Sequence, residues 1–261
     1  MKISFIGAGN AAWQLSRSFE NAGNSVMEVF SRHATHARDL VQYLYNAHVQ
    51  EHLDFSESAA TVFFLCIPES AYPHVLQELI LPKDATLVLV SGHFGIAEAT
   101  ALYDPASENN NPVGVLFPVQ YLQKGVNTKL DDSLICVEGN TPQTETLLSA
   151  FGKSLSKVVY AVTEEERRKI HLSAILSGDF TRILWEKAEE LMREIELEPN
   201  LLQPLIKNHL AHLNQQFPYL NRAKKDFLSQ PRYLKETESY LQGGEIGEIF
   251  EHFVKMIKKG E

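Results

Sequence analysis

The sequence has 261 residues and a formal net charge of -9, with 44% hydrophobic and 22% charged residues. This balance is typical of a globular protein and excludes disordered, collagen-like and coiled-coil chains. The acidic excess, without a dense basic run, argues against nucleic acid as a partner. Because no run of about 18 apolar residues occurs, we expect no membrane span.

The two cysteines, Cys66 and Cys136, each lie in an apolar segment that resembles a strand. This pattern is typical of reduced core thiols rather than of disulfides or a zinc cluster. The chain opens on a strand pattern rather than on an apolar signal region. We therefore expect a cytoplasmic protein without a structural metal. The histidine pairs at 33/36 and 209/212 have no obvious third ligand nearby.

Short β-branched segments alternate with helical patterns over residues 1–160. This alternation predicts an α/β domain of Rossmann type, with a mostly parallel sheet and crossover helices. The predicted strands are Lys2–Ile6, Ser25–Phe30, Thr61–Ile67, Thr86–Val90, Val113–Phe117 and Leu134–Val137. The predicted helices are Asn10–Asn21, Thr35–Tyr45, Ser70–Leu79, Ile96–Tyr103 and Pro142–Phe151.

Residues 161–261 carry apolar residues at helical spacing, interrupted by prolines, which predicts an all-α carboxyl-terminal domain. The charged run Glu164–Arg168 is interpreted as a solvated helix start. His171 and Arg182 are eleven residues apart, about three helical turns, so on one helix they would share a face.

A glycine-rich loop follows the first strand directly. It has the pattern G-x-G-x-x-A and consists of Gly7, Ala8, Gly9, Asn10, Ala11 and Ala12. Gly7 permits a tight turn, Gly9 lets a pyrophosphate approach the backbone, and Ala12 lets the helix pack closely on the strand. The amino end of that helix offers free N–H groups to phosphates. The loop therefore predicts a dinucleotide site, the alternative being a glycine turn without a ligand.

The end of the second strand indicates which dinucleotide is bound. NAD sites usually place an acidic residue there, whereas this chain has Ser31 and Arg32. A guanidinium pairs with a 2′-phosphate and stacks on adenine, and the serine adds a hydrogen bond. The pair favours NADP, and the alternative for Arg32 is a solvated turn residue.

Two further strand ends are expected beside the cofactor. Cys66, Ile67 and Pro68 end the third predicted strand, and their backbone would contact the cofactor. Ser91 and the glycines that follow occupy the same place one strand later. His93 faces either the cleft or water, and both possibilities stay open.

Several segments resemble, in chain order, a family of Rossmann-like NADP oxidoreductases with a helical domain of unknown function. These segments are Gly7–Ala12, Ser31-Arg32, Ser91-Gly92, Phe117–Gln120 and Arg168–Ala174. The family is related to deazaflavin-dependent NADP oxidoreductases and pyrroline-5-carboxylate reductases. The resemblance covers nearly the whole chain. It implies NADP as cofactor, a small-molecule substrate, and a homodimer that forms through the helical domain.

The resemblance also implies candidate catalytic residues. The family's conserved histidine corresponds to His171, and its later asparagine corresponds to Asp179, which adds charge and removes a hydrogen-bond donor. At Asn221–Asp226 this chain departs from the glycine-proline, arginine and aspartate of its relatives. His171 is either a proton donor or a histidine that packs at the domain junction, and Gln120 either orients a ligand or caps that junction.

The leading function is oxidation or reduction of a small carbonyl or imine metabolite by NADP(H). The departures at Asp179 and Asn221–Asp226 keep a second function open, that of a non-catalytic NADP(H)-binding sensor or regulatory module.

Overall fold

The structure is a computed structural model that describes residues 1–103, 111–215 and 245–259. The chain forms two compact units, Met1–Asp179 and Phe180–Glu261. The sequence places a boundary near residue 160, at the end of the last strand. The compact unit continues to Asp179, because the helix that follows this strand bonds to loops at the edge of the sheet.

The first unit contains one sheet of eight strands among the described residues. The strands are β1 (Lys2–Ile6), β2 (Ser25–Phe30), β3 (His48–Gln50), β4 (Val62–Leu65), β5 (Thr86–Leu89), β6 (Val113–Pro118), β7 (Ile135–Gly139) and β8 (Val159–Ala161). Their order is β3-β2-β1-β4-β5-β6-β7-β8. Neighbours pair in parallel except β6 and β7, which are antiparallel. The predicted α/β fold with a mostly parallel sheet is confirmed.

Six of these strands are predicted from the sequence, while β3 and β8 are not. Each of the two is three residues long and lies at one edge of the sheet. Alternation of apolar and polar residues cannot be recognised over three positions, so neighbouring strands define these edges more than local sequence does.

Helices cover both faces of the sheet. They are α1 (Asn10–Asn21), α2 (Ala34–Val41), α3 (Tyr72–Glu78), α4 (Ile96–Tyr103) and α5 (Pro142–Leu155), and a further helix, α6 (Glu164–Ser177), follows β8. Successive side chains of β4 lie on opposite faces of the sheet, and each face has its own apolar core. Phe64 packs with Phe5 and Phe19 in the core that also holds α1, α2 and α5. Phe63 packs with Phe55 in the core that holds α3 and α4.

The second unit is helical in its described residues. Its helices are α7 (Asp179–Glu194), which begins at the division between the units, α8 (Gln203–Gln215) and α9 (Glu245–Lys259). The Lys187 ammonium lies 2.9 Å from a carboxylate oxygen of Glu190 and 3.0 Å from one of Glu245, so it joins α7 to α9. Within the described ranges, no helix is both long and apolar enough to cross a bilayer.

The helical stretch after the sheet is interrupted at Gly178. This residue caps α6 after Ser177, and α7 begins at the next residue. The prediction that His171 and Arg182 share one helix face is therefore wrong, because they lie on different helices. Arg182 instead pairs with Glu186 one turn further along α7.

The turn at the end of β1 requires glycine. Gly7 has a φ of +115°, and a side chain there would overlap the backbone carbonyl of Cys66. Gly23, at the end of α1, also has a positive φ of +88°, but a side chain there would meet nothing within 4 Å. Substitutions at the two glycines therefore distinguish the cost of backbone strain from the cost of steric overlap.

We expect Gly23→Ala to lower the free energy of unfolding by about 1 kcal/mol, the cost of a positive φ for alanine. Gly7→Ala should lower it by about 3 kcal/mol or more, since overlap with the neighbouring strand adds to the strain. Urea unfolding followed by circular dichroism measures both. Equal losses of stability in the two variants would show that the structure accommodates a side chain at position 7 beside Cys66 without further cost.

Candidate functional site

The carboxyl ends of parallel strands meet at one edge of the sheet. Gly7–Ala12 follows β1, Ser31 and Arg32 follow β2, Cys66–Pro68 follows β4, and Ser91–Gly95 follows β5. This edge is where α/β sheets of this kind bind ligands. The structure thus brings together the four segments predicted to hold the cofactor.

Gly9 precedes α1 in an extended conformation, and no side chain caps this end of the helix. A side chain at Gly9 would meet no protein atom within 4 Å. Packing therefore does not explain the glycine, whereas close approach of a ligand to the backbone does. The first N–H groups of α1 have no partner inside the helix, so the loop fits a pyrophosphate group.

Ser31 and Arg32 lie next to this loop. The Gly7 amide donates a 2.8 Å hydrogen bond to the carbonyl of Phe30, which fixes the end of β2 beside the turn. Ser31 is half-buried and Arg32 is exposed. No hydrogen bond or ion pair engages the Arg32 guanidinium within the described part of the chain, so it is available to an anionic group.

Cys66 contributes backbone rather than side-chain chemistry. Its amide donates to the carbonyl of Ile6 at 2.7 Å, and its carbonyl lies against Gly7. Burial raises the pKa of the Cys66 thiol far above its ordinary value. Burial also raises the pKa of Cys136 to about 11, although the Arg167 charge opposes this. Both side chains stay protonated near neutral pH and are poor nucleophiles.

The Ser91 hydroxyl is occupied within its own loop. It donates to the Glu69 carboxylate and accepts the backbone N–H groups of His93 at 3.1 Å and Phe94 at 2.7 Å. The side chain therefore shapes the β5–α4 loop. His93 is exposed.

Arg167 contradicts the interpretation of Glu164–Arg168 as a solvated run. It is fully buried, with its guanidinium bonded to the Glu138 carboxylate at 3.1 and 3.2 Å. It also donates to the carbonyls of Ser91 at 3.4 Å and Phe94 at 3.1 Å. A buried charge needs such complete pairing. Arg167 thereby attaches α6 to both β7 and the β5–α4 loop.

His171 lies one helical turn beyond Arg167, at the ends of β5 and β6. A side chain at Gly92 would overlap its imidazole, so this glycine makes room for the ring. The ring centroid is 5.3 Å from that of Phe117, in an edge-on contact. His171 is half-buried, and neither ring nitrogen has a hydrogen-bond partner among the described residues. Its nitrogens are therefore available to a ligand at this edge.

Other predicted residues are less closely tied to this site. Asp179 is exposed at the start of α7, on a different helix from His171. The side-chain amide of Gln120 donates a 3.2 Å hydrogen bond to the Ser133 hydroxyl within its own loop. Asn221–Asp226 lies outside the described residues. Within the residues that are described, no three His, Cys, Asp or Glu side chains cluster in a way that could hold a metal ion.

Sequence reasoning missed Arg167, although a signal was present. Glu164, Arg167, Arg168 and His171 follow an i, i+3, i+4, i+7 spacing, which places them on one face of α6. Arg168 donates to the carbonyl of His93 at 3.0 Å, so it also contacts the loop. This packing face of α6 is hard to recognise in the sequence because it is charged, whereas packing faces are normally apolar.

Two family models match parts of this chain. Residues 2–93 match the family described as NADP oxidoreductase, coenzyme F420-dependent. Residues 133–220 match a domain of unknown function. The predicted resemblance is confirmed. The NADP oxidoreductase match covers β1 to β5, and the match to the uncharacterised domain begins within the sheet unit, just before β7, and continues into the second unit. No curated protein sequence matches the chain.

Solved structures share the fold over nearly the full length. A candidate NADP oxidoreductase from Bacteroides fragilis is 22% identical, with a TM-score of 0.84, over 99% of this chain and 98% of that one. Pyrroline-5-carboxylate reductase from Streptococcus pyogenes is 12% identical, with a TM-score of 0.67, over 99% and 97%. A reductive aminase from Aspergillus terreus, solved with NADPH and ethyl-5-oxohexanoate, is 15% identical, with a TM-score of 0.68, over 99% and 94%.

We expect Arg167→Met to lower the free energy of unfolding by about 3 kcal/mol, because it leaves Glu138 and two carbonyls without their donor. Lys169→Met is the matched control, since Lys169 is exposed and pairs with Glu165 on the same helix. Chemical denaturation of the two variants measures the difference. A loss as small as that of the control would show that Arg167 does not hold α6 in place.

Proposed function

We propose that this chain is an NADP(H)-dependent oxidoreductase that acts on a small carbonyl or imine compound. The observation that carries the proposal is the uncapped amino end of α1, with Gly9 open to a ligand in a segment that matches an NADP oxidoreductase family. The fold is shared with a reductive aminase solved with NADPH and with a pyrroline-5-carboxylate reductase, which supports the substrate class.

The assignment of NADP rather than NAD rests on the end of β2. Ser31 and Arg32 stand where NAD enzymes usually place a carboxylate. The exposed guanidinium has no partner among the described residues and can form a bidentate pair with a 2′-phosphate. Gly7–Ala12, Cys66–Pro68 and Ser91 contact the rest of the cofactor, mostly through backbone groups.

In this proposal, His171 is the proton donor. Reduction of a carbonyl or imine needs a hydride at carbon and a proton at oxygen or nitrogen. Bound NADPH supplies the hydride. Protonated His171 gives its proton to the heteroatom and is left neutral, and its contacts with Gly92 and Phe117 orient the ring at the sheet edge. Asp179, which is exposed, is a candidate contact for the substrate.

The helical unit offers a surface for a second copy of the chain. Several large apolar side chains on its helices are exposed, including Ile183, Leu184, Leu191, Leu205 and Leu210. Exposed apolar surface of this kind is typical of an interface. We assign the substrate and dimerisation roles to residues 161–261, which include His171 and Asp179, and propose a cytoplasmic homodimer. Two free, buried cysteines support the reducing compartment.

We expect Arg32→Ala to raise the Kd for NADPH by about 10- to 100-fold, since a charge-assisted bond to the 2′-phosphate is lost. The Kd for NADH, which lacks that phosphate, should rise far less, because only stacking on adenine is lost. Fluorescence titration of the reduced cofactors measures both. Arg38→Ala, on α2, removes an exposed arginine nearby and controls for net charge. Equal losses of affinity for the two cofactors would show that Arg32 does not bind the 2′-phosphate.

We expect His171→Ala to lower kcat by about 100-fold or more while leaving the Kd for NADPH unchanged, because the variant loses a proton donor and no cofactor contact. Turnover of NADPH with small ketones, imines and deazaflavin is the measurement. His93→Ala, which changes an exposed histidine on the adjoining loop, should keep its activity.

Unchanged kcat in His171→Ala would exclude this histidine as the proton donor. Tight binding of NADPH by the wild-type chain without turnover of any of these compounds would favour the sensor function instead.

A further inference from the structure

The loop between β6 and β7 follows the edge on which the cofactor site lies. β6 ends at Pro118 and β7 begins at Ile135. Because these strands are antiparallel neighbours, the loop leaves and rejoins the sheet at the same edge, which is the carboxyl edge of the parallel strands. We name residues 119–134 the strap. It has enough length to reach elements several strands away.

The tip of the strap is attached to α1. The Lys124 amide donates a 3.0 Å hydrogen bond to the side-chain oxygen of Asn10, the first residue of that helix. One turn further on, the side-chain amide of Gln14 donates a hydrogen bond to the carbonyl of Thr128 at 2.7 Å. Gly125, with a φ of +83°, reverses the chain directly after Lys124. These bonds place Lys124 beside the glycine loop.

The Lys124 side chain is held only weakly. Its ammonium lies 3.3 Å from a carboxylate oxygen of Asp39 on α2, and the two side chains are 43% and 56% exposed. Ion pairs this exposed are screened by water and contribute little. An anion of higher charge that binds beside α1 would therefore compete successfully for the ammonium.

The glycine loop itself supplies no full charge to a phosphate. Its six residues, Gly7–Ala12, have no charged side chain, and the chain as a whole carries a net charge of -9. Backbone N–H groups bind a phosphate through partial charges alone. We infer that the strap supplies the missing full charge, with Lys124 leaving Asp39 to bind the pyrophosphate of the dinucleotide. This inference rests on the proposed function, since it assigns a further residue to the same cofactor.

The test compares the affinities of NADPH and NADH, which share the pyrophosphate, in the full-length chain. Lys124→Gln removes the charge and keeps the backbone bond to Asn10. Lys157→Gln is the matched control, because Lys157 is exposed and pairs loosely with Asp132 at 3.7 Å. Asp39→Asn removes the competing carboxylate, alone and together with Lys124→Gln.

We expect Lys124→Gln to weaken binding of both cofactors by about tenfold, as for the loss of a charge-assisted bond, and Lys157→Gln to change neither. Asp39→Asn should strengthen binding of both, and this gain should disappear in the double variant.

Unchanged affinities in Lys124→Gln would overturn the inference while leaving the proposed function intact. A loss confined to NADPH would overturn the pyrophosphate assignment, because it would place Lys124 at the 2′-phosphate. A wild-type chain that binds neither cofactor would overturn the proposed function and the inference together.

Discussion

The close approach of Gly7 to the carbonyl of Cys66 positions the rest of the site. With a φ of +115°, the chain turns out of β1 directly against β4, and no room remains for a side chain. The same residue bonds to the end of β2 through its amide. Three strand ends are thereby fixed relative to one another. The amino end of α1 and the Ser31-Arg32 pair then lie beside each other because Gly7 fixes the strand ends, and no direct bond between the two segments is required.

A second constraint positions the chemistry. Removing a guanidinium from water is costly, so Arg167 remains buried only because the Glu138 carboxylate and two loop carbonyls replace the lost water. The pairing fixes α6 against the β5–α4 loop. His171, one turn later, consequently packs on Gly92. The position of the candidate proton donor thus depends on an ion pair with a residue 29 positions earlier in the chain.

Local pattern predicts the parts of this fold that local forces determine. The bounds of β1, α1 and β2 agree with the sequence prediction, since alternation and helical spacing are strong there. β3 and β8 are too short to carry a pattern, and Gly178 divides a helical stretch whose apolar spacing continues past it. Arg167 was misinterpreted because a charged residue near a helix start is usually solvated, and only the tertiary structure shows what pairs with it. Asn10 and Lys124, 114 residues apart, share no sequence signal at all.

Recognition through backbone groups has a consequence for specificity. A glycine loop whose side chains are all neutral holds phosphates through N–H groups that many sequences could supply, so it cannot by itself distinguish one dinucleotide from another. In the proposed site, discrimination comes from Arg32 after β2, whereas Lys124 on the strap binds the pyrophosphate that these dinucleotides share. Because these two lie on separate segments, a substitution at one need not disturb the other. In the proposed site, preference for the 2′-phosphate and overall affinity for the cofactor can therefore change independently.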